Sequence, residues 1–433
     1  MSLSILKPFS TGGARPSIAT EFRAGVTTFL TMAYILVVNP QVLSHAGMPA
    51  RDVAVATAIA SAAATLMMGL VANYPFALAP GMGLNAYFTY GVVQGMGVSW
   101  RVALGAVFVE GLIFLALAGT GARRALIEAI PRPVKVATTV GIGLFLAIIG
   151  FENAGIVIGH PETLVTLGDL RAPGALLTIA GIALIAALLA ARIRGGILIG
   201  IAVLSAAAWI GGIAPPPHAV AALPTLPRHT FLAFDLHGLL TGKLLLVVAA
   251  FLFVDIFDTA GTLVGVGRIA GFLDEEGNLP RADRAFLSDA VGTTFGAMLG
   301  TSTVTTYIES AAGVEDGGRT GLTAVTVGVL FLLAIPFAPL LAAVPAVATA
   351  PALVVVGAMM LGGLRDQEWR DPADAVPAFL TLVLMPLTYS IATGITFGLV
   401  SWVLIRALTG RWREVPALLW PMAGALVLFF ALR

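Results

Sequence analysis

Apolar residues run through this chain in blocks of about 20, separated by short polar punctuation, from residue 22 almost to the end. A helix rises 1.5 Å per residue, so roughly 20 apolar residues cross a ~30 Å hydrocarbon core. The runs are continuous and do not alternate with period two, which favours membrane helices over a β-barrel. Fourteen spans are predicted. The first set is 22–45, 51–72, 83–95, 101–120, 134–152, 174–192 and 196–213. A loop rich in proline and histidine, 214–240, precedes the second: 241–266, 286–300, 303–315, 320–340, 342–364, 375–390 and 391–409. An apolar segment at 415–432 is left over, either an interfacial helix or an extra span.

The two sets share a rhythm. Each holds one segment too short to span, at 83–95 and 303–315, after a stretch of Gly with Pro, Thr or Ser. Paired interruptions in corresponding places point to a transporter binding site. Thr28-Phe29-Leu30 also aligns locally with Ala250-Phe251-Leu252. An odd number of spans per set places the two copies in opposite orientations. The predicted architecture is an all-α polytopic membrane protein, a 7+7 inverted repeat with two half-helices preceded by extended segments.

Composition agrees: 58% of the 433 residues are hydrophobic and 11% charged, against about 25% charged in soluble domains. A net charge of +1 argues against a nucleic-acid partner or a polybasic anchor, and the absence of cysteine excludes disulfides and thiolate metal sites. Residues 1–20 are polar, so no cleaved signal peptide is expected. With a cytoplasmic N-terminus, 18 of the 24 Lys and Arg fall inside. Arg51, Arg101, Arg171, Arg228 and Lys243 fall outside, and Arg433 depends on the tail. The positive-inside rule thus supports a multi-pass cell-membrane protein in that orientation.

Ionisable residues within spans are functional candidates, because charge in the bilayer is costly. Asp255, Asp258, Thr259 and Thr262 are spaced i, i+3, i+4 and i+7 on the eighth span, so one face carries them all. The plainer alternative is a structural pair neutralised by a buried Arg or by helix N-termini. The run Gly300-Thr301-Ser302-Thr303-Val304-Thr305-Thr306-Tyr307-Ile308-Glu309-Ser310 reads as extended backbone opening into a half-helix with Glu309 in its first turn. Such backbone is tolerated at membrane depth only when buried in protein. Glu309 would accept hydrogen bonds from a ligand, or simply cap the helix.

The matching stretch in the first half is Pro75-Phe76-Ala77-Leu78-Ala79-Pro80-Gly81-Met82-Gly83-Leu84-Asn85. Pro80 removes a backbone donor, and Gly81 and Gly83 allow close backbone approach. Asn85 is expected to open the half-helix, as a cap or as a contact to cargo. Met82 would either cover an aromatic ring or merely pack. Where the second copy has Asp255 and Asp258, the first has Ala33 and Leu36. One half brings acids and the other an apolar wall, which suits a flat, mostly apolar molecule with several N–H donors along one edge.

Other chemistries recede. All five histidines map to span ends or outside loops, against a Ser–His protease, a zinc site or a haem site. No Walker A motif is present. Gly265-Val266-Gly267-Arg268 follows a membrane helix and not a strand, so it is discounted as a nucleotide site. The chain is expected to be neither an enzyme nor a metalloprotein.

Four stretches resemble a known family: Thr31-Met32-Ala33-Tyr34-Ile35-Leu36-Val37-Val38-Asn39-Pro40, Ala79-Pro80-Gly81-Met82-Gly83-Leu84-Asn85-Ala86-Tyr87-Phe88, Val254-Asp255-Ile256-Phe257-Asp258-Thr259-Ala260-Gly261-Thr262 and Thr305-Thr306-Tyr307-Ile308-Glu309-Ser310. The chain resembles the AzgA-like hypoxanthine/guanine/adenine permeases, a branch of the nucleobase–ascorbate transporter (nucleobase:cation symporter-2) superfamily. The likeness runs from about residue 15 to the C-terminus. It implies a core domain from 22–120 and 241–340, and a gate domain from 134–213 and 342–410. It also implies purine import by proton symport, an elevator-like movement and a homodimer. The superfamily's acids on spans eight and ten fall at Asp258 and Glu309, and Asp255 matches a second acid of the purine branch.

On this reading Glu309 and Asp258 accept hydrogen bonds from purine N–H groups, and charge assistance strengthens each bond. Backbone groups around Gly83, Thr305, Tyr307 and Ile308 would read the remaining polar edge, with Met82 and Asn85 beside them. Asp255, Asp258 and Thr262 form the expected proton-coupling set; protonation would reduce the charge that moves with the loaded core. No cofactor is expected, and sodium in place of protons stays open, since carboxylates and carbonyls also ligate Na⁺. Two rivals are an anion (sulfate or bicarbonate) transporter of the same fold, disfavoured by the acids at the site, and a channel or membrane-embedded enzyme.

Overall fold

The computed structural model describes residues 17–120, 131–240, 242–275, 278–417 and 419–431. Lys7, Arg15, Arg123, Arg124 and Arg433, which entered the orientation argument, lie outside them, as do the expected segment ends at 241 and 432. The first half runs α1 (Ile18–Met32), α2 (Ile35–Ser44), α3 (Ala50–Met67), β1 (Leu78–Pro80), α4 (Met82–Ala86), α5 (Trp100–Thr120), α6 (Arg132–Asn153), an outer hairpin β2 (Val157–His160) and β3 (Leu164–Leu167), α7 (Pro173–Ala190) and α8 (Gly196–Ile210). The second runs α9 (Gly242–Ala270), α10 (Ala282–Leu299), β4 (Val304–Thr306), α11 (Ser310–Glu315), α12 (Gly321–Ala334), α13 (Ala338–Ala342), α14 (Ala346–Met360), α15 (Pro372–Thr388) and α16 (Ile391–Leu408). A last helix, α17 (Leu419–Ala431), packs on α16.

Thirteen of the fourteen predicted spans fall on helix, while 303–315 is strand at Val304–Thr306 and helix only from Ser310; nine described helical stretches are long and apolar enough to cross a membrane. α7 and α12 bury only a minority of their residues, as helices lying against lipid would. The tail helix has 13 residues, about 20 Å at 1.5 Å each, short of a full crossing. The first span is not one smooth helix. It turns at Ala33–Tyr34, where the Leu36 and Val37 amides bond back three residues, to Ala33 and Tyr34. The hairpin over 157–167 lies between the predicted spans 134–152 and 174–192.

Helices α1–α5 pack with α9–α12, while α6, α7 and α8 pack with α14, and α15 with α6 and α16. The two groups meet where α4 touches α6, α1 touches α8, α9 touches α16 and α2 touches α14. Gly111 on α5 illustrates how close the helices come: a Cβ there would sit 2.7 Å from the Thr294 hydroxyl and 2.9 Å from its amide nitrogen.

At the end of α16 an ion-pair cluster ties three segments together. Arg406 is buried and pairs with Asp374 at 2.6 Å and Glu414 at 2.9 Å, while Arg411 pairs with Asp371 at 2.7 Å and Glu414 at 2.9 Å. Asp371 also caps α15 by accepting from the Ala373 amide at 2.9 Å. Hydrogen bonds from Arg411 hold both Asp371 and Glu414 below the usual carboxylate range. A folded-state depression contributes stability above the unfolded pKa, about 4 for these groups, and that contribution disappears as pH falls through the folded value. Arg411→Ala should therefore lose less thermal stability than the parent when detergent solutions are taken from neutrality to below about pH 4. Parallel acid slopes for the two proteins would show that the cluster adds nothing.

Candidate functional site

The site forms where the two halves of the chain cross. β1 and β4 pair antiparallel, with Leu78 opposite Thr306, Ala79 opposite Thr305 and Pro80 opposite Val304. The pairing is extended at both ends, by Gly81 N–H to the Thr303 carbonyl and Tyr307 N–H to the Ala77 carbonyl, each 2.9 Å. Backbone at membrane depth must find partners within the protein, and these strands find them in each other. A threonine helps each one. Thr65 on α3 donates to the Leu78 carbonyl at 3.0 Å and accepts its N–H at 2.9 Å. Thr293 on α10 treats Val304 the same way, at 2.9 and 3.1 Å. The same device in both halves marks the internal repeat at atomic level.

Glu309 is the N-cap residue of α11, one position earlier than its expected place in the first turn. Its Oε1 accepts the Tyr34 hydroxyl at 2.6 Å. Thr305 donates to Asp258 at 3.3 Å and shares a 3.0 Å hydrogen bond with Thr259. The Asp258 and Glu309 carboxyls are close enough to repel each other. Tyr307 is buried, with its hydroxyl donating to the Pro80 carbonyl at 2.6 Å. That bond occupies Tyr307 with the crossing itself. Ile308 is exposed.

On the other half, Gly81 caps α4 with extended dihedrals, and Met82 is buried behind it. Asn85 does not open the helix: its amide bonds back to the Gly81 carbonyl at 2.8 Å, which places it inside the first turn. The cap falls at Gly81 because that residue must also pair with Thr303. Asn85 accepts from the Ser302 hydroxyl, and its buried Nδ2 lacks a partner. Gly83 lies against α6, where a Cβ would meet Ile142 Cγ2 at 2.3 Å. The half-helix thus sits at the seam between the two helix groups.

Of the expected coupling residues, Asp255 is fully buried beside Glu110 of α5 and Asp289 of α10, with its Oδ2 3.3 Å from the Thr293 hydroxyl that binds Val304 of the crossing. Thr262 is buried two turns further on, and no hydrogen bond joins it to the acids among the described residues. Three groups here escaped the sequence reading. Tyr34 lies in the first of the four family-like stretches, where nothing in the sequence pairs it with Glu309. Glu110 on α5 and Asp289 on α10 are fully buried acids. Glu110 was visible as a lone acid in an apolar run; Asp289 sits near the start of its span and resembled a boundary residue.

A cavity of ≈ 640 Å³ opens between α1, α11 and the α7–α8 connection, lined in part by Thr27, Thr31, Arg192, Ala312 and Glu315. None of the expected site residues lines it, yet Thr31 and Ala312 stand one turn from Tyr34 and Glu309 respectively. At its mouth Asp316 pairs with Arg194 at 2.8 Å and Arg23 at 3.4 Å. Among the described residues, no group of three His, Cys, Asp or Glu side chains is placed to hold a metal ion.

Residues 19–397 match the Permease family. The guanine/hypoxanthine permease PbuG of Bacillus subtilis is 44% identical over 96% of this chain and 96% of its own. The adenine permease AdeP of Escherichia coli is 43% identical over 92% of this chain and 89% of its own. Among solved structures, the transmembrane domain of a cyanobacterium bicarbonate transporter, BicA, superposes with a TM-score of 0.65 at 18% identity, covering 87% of this chain and 97% of that one. At that identity the likeness concerns the fold alone.

Proposed function

The chain belongs to the Permease family, and from that membership we propose that it imports purine nucleobases (hypoxanthine, guanine or adenine) by proton symport. The observation that carries this reading is the pair of carboxylates at the crossing, Asp258 bonded to Thr305 of β4 and Glu309 at the start of the half-helix that follows it. Carboxylates are acceptors only, so they select a ligand with N–H donors and repel an anion. The relatives named for guanine, hypoxanthine and adenine span nearly the whole chain. The free N–H groups at the start of α4 would meet acceptor edges of the ring.

In this reading residues 22–120 and 241–340 form a core domain that carries the ligand. Residues 134–213 and 342–410 form a gate domain against which it slides, with Gly83 and Ile142 at the sliding seam. The N-terminus is cytoplasmic, the protein sits in the cell membrane, and two copies assemble as a homodimer. Breaking the Asp316–Arg194 pair would accompany the movement, since Arg194 belongs to the α7–α8 connection and Asp316 follows α11.

The test is uptake of labelled hypoxanthine into proteoliposomes under an inward proton gradient, with guanine, adenine, xanthine, uracil and sulfate as unlabelled competitors. Accumulation driven by the gradient and blocked by purines is the expected result. Block by sulfate alone would replace this reading with the anion transporter.

A further inference from the structure

Three carboxyls lie together in the interior beside the crossing strand β4: Glu110 on α5, Asp255 on α9 and Asp289 on α10, each fully buried. Glu110 faces both of the others, and Asp255 faces Asp289. Close contact of α5 with α10 at Gly111 brings the first of them in. Thr306 holds one oxygen of Asp289 at 3.3 Å, and the Thr293 hydroxyl, whose hydrogen goes to the Val304 carbonyl, lies 3.3 Å from Asp255 Oδ2. The other oxygens have no donor: Asp255 Oδ1, Asp289 Oδ2 and both oxygens of Glu110 are buried without a partner.

An ionised carboxylate in such a place needs a counter-charge or a donor, and three together repel one another besides. Among the described residues no lysine, arginine or histidine faces them. Asp258 is the remaining titratable group near the set, from the same face of α9. From the other segments packed on α5, the His237 side chain is fully exposed. The three do not converge as metal ligands. The ligand that satisfies carboxyl oxygens facing each other is a proton, which turns an acceptor into a donor.

We infer that Glu110, Asp255 and Asp289 form a shared proton-binding site, separate from the ligand-binding carboxylates and wired to them through β4. The wire consists of threonines. Asp289 accepts from Thr306 of β4 at 3.3 Å, its neighbour Thr305 donates to Asp258 at 3.3 Å, and Thr259 bonds Thr305 at 3.0 Å. Losing or gaining a proton in the triad changes which oxygens need donors, and Thr306, with its neighbour Thr305 on β4, must reorient in response. Occupancy is thereby felt at Asp258 without the proton entering the ligand site.

The proposal rests on the proton-symport reading above, so its test separates the two. In proteoliposomes, the ratio of proton-driven uptake to equilibrium exchange of labelled hypoxanthine should fall at least about tenfold in Glu110→Gln and in Asp289→Asn. Glu110→Asp should retain most of the ratio. A wild-type ratio in both neutral variants overturns the proposal, as does a wild-type response to sodium in place of protons. A wild-type protein indifferent to any proton gradient sinks the symport reading itself. The triad is then decided by infrared spectroscopy of the purified protein. A protonated-carboxyl band present at neutral pH and reduced in Glu110→Gln supports it. Absence of that band from the wild type overturns it, and this last measurement stands even if the variants fail to fold.

Discussion

Glu309→Gln should lower hypoxanthine uptake at limiting concentration about 10- to 100-fold while leaving the protein folded. The carboxylate has about four lone-pair sites, and the Tyr34 hydroxyl uses one of them at 2.6 Å. The others are free for ligand N–H donors. A hydrogen bond to a charged group contributes about 1.5–3 kcal/mol, and each 1.4 kcal/mol is tenfold in affinity. Glutamine keeps the size and one acceptor but loses the charge and presents an NH₂ where a second acceptor was. Tyr34→Phe is the informative companion. It leaves the carboxylate charged but removes the hydroxyl that orients it, so its loss should be smaller, about fivefold for a bond of roughly 1 kcal/mol. Both effects should appear as weakened binding of labelled hypoxanthine to detergent-purified protein. Unaltered binding by Glu309→Gln would remove Glu309 from the ligand site, and with it the main support for a purine edge meeting a carboxylate there.

The second large effect concerns stability. Gly321, at the start of α12, lies directly against the backbone after α3: a Cβ on it would sit 1.9 Å from the Gly69 carbonyl oxygen and 2.6 Å from its carbon. The reverse contact is also tight, with a Cβ on Gly69 at 2.5 Å from the Gly321 oxygen. Both obstacles are main chain, so no rotamer change relieves them. The Gly321 amide is also anchored, donating to Asn73 Oδ1 at 2.8 Å, and moving the segment would break that bond. Overpacking typically costs about 1–3 kcal/mol and sometimes more, and a backbone-to-backbone clash belongs at the upper end. Gly321→Ala should therefore reduce the yield of folded protein sharply and lower the unfolding temperature in detergent. Gly265 on α9 has nothing within 4 Å of its would-be Cβ. Gly265→Ala should be neutral or slightly stabilising, since alanine favours a helix interior over glycine by about 0.5–1 kcal/mol. Equal melting temperatures for the two variants would refute the close-contact argument.

Hydrophobic run length revealed the spans and their two matching halves because lipid imposes that pattern locally, residue by residue. The extended stretches before the half-helices were legible for a related reason. Gly300 through Thr306 lacks the long apolar side chains of a span, and Pro80 cannot donate. Partnership was not legible. That Leu78 pairs with Thr306, or that Tyr34 reaches Glu309, depends on how distant helices fold over one another. Glu110 shows the limit most clearly. A single acid in an apolar run is readable, but its meaning comes from Asp255 and Asp289, which only the packing of α5 on α9 and α10 brings alongside. Asn85 failed for a local reason: Gly81 serves at once as strand end and helix cap, a double duty that propensity rules do not anticipate.

The β1–β4 pairing also sets a schedule for the chain's birth. Leu78 must wait for Thr306, some 230 residues later in synthesis. At about 5–20 residues per second, that interval is on the order of ten to fifty seconds. Throughout it, half of an unfinished ladder stands inside the bilayer with its backbone groups open. Thr65, already inserted on α3, can hold the Leu78 N–H and carbonyl during the delay. Those bonds persist in the finished structure, so it is the Ala77 carbonyl and the Gly81 amide that wait for partners still unmade.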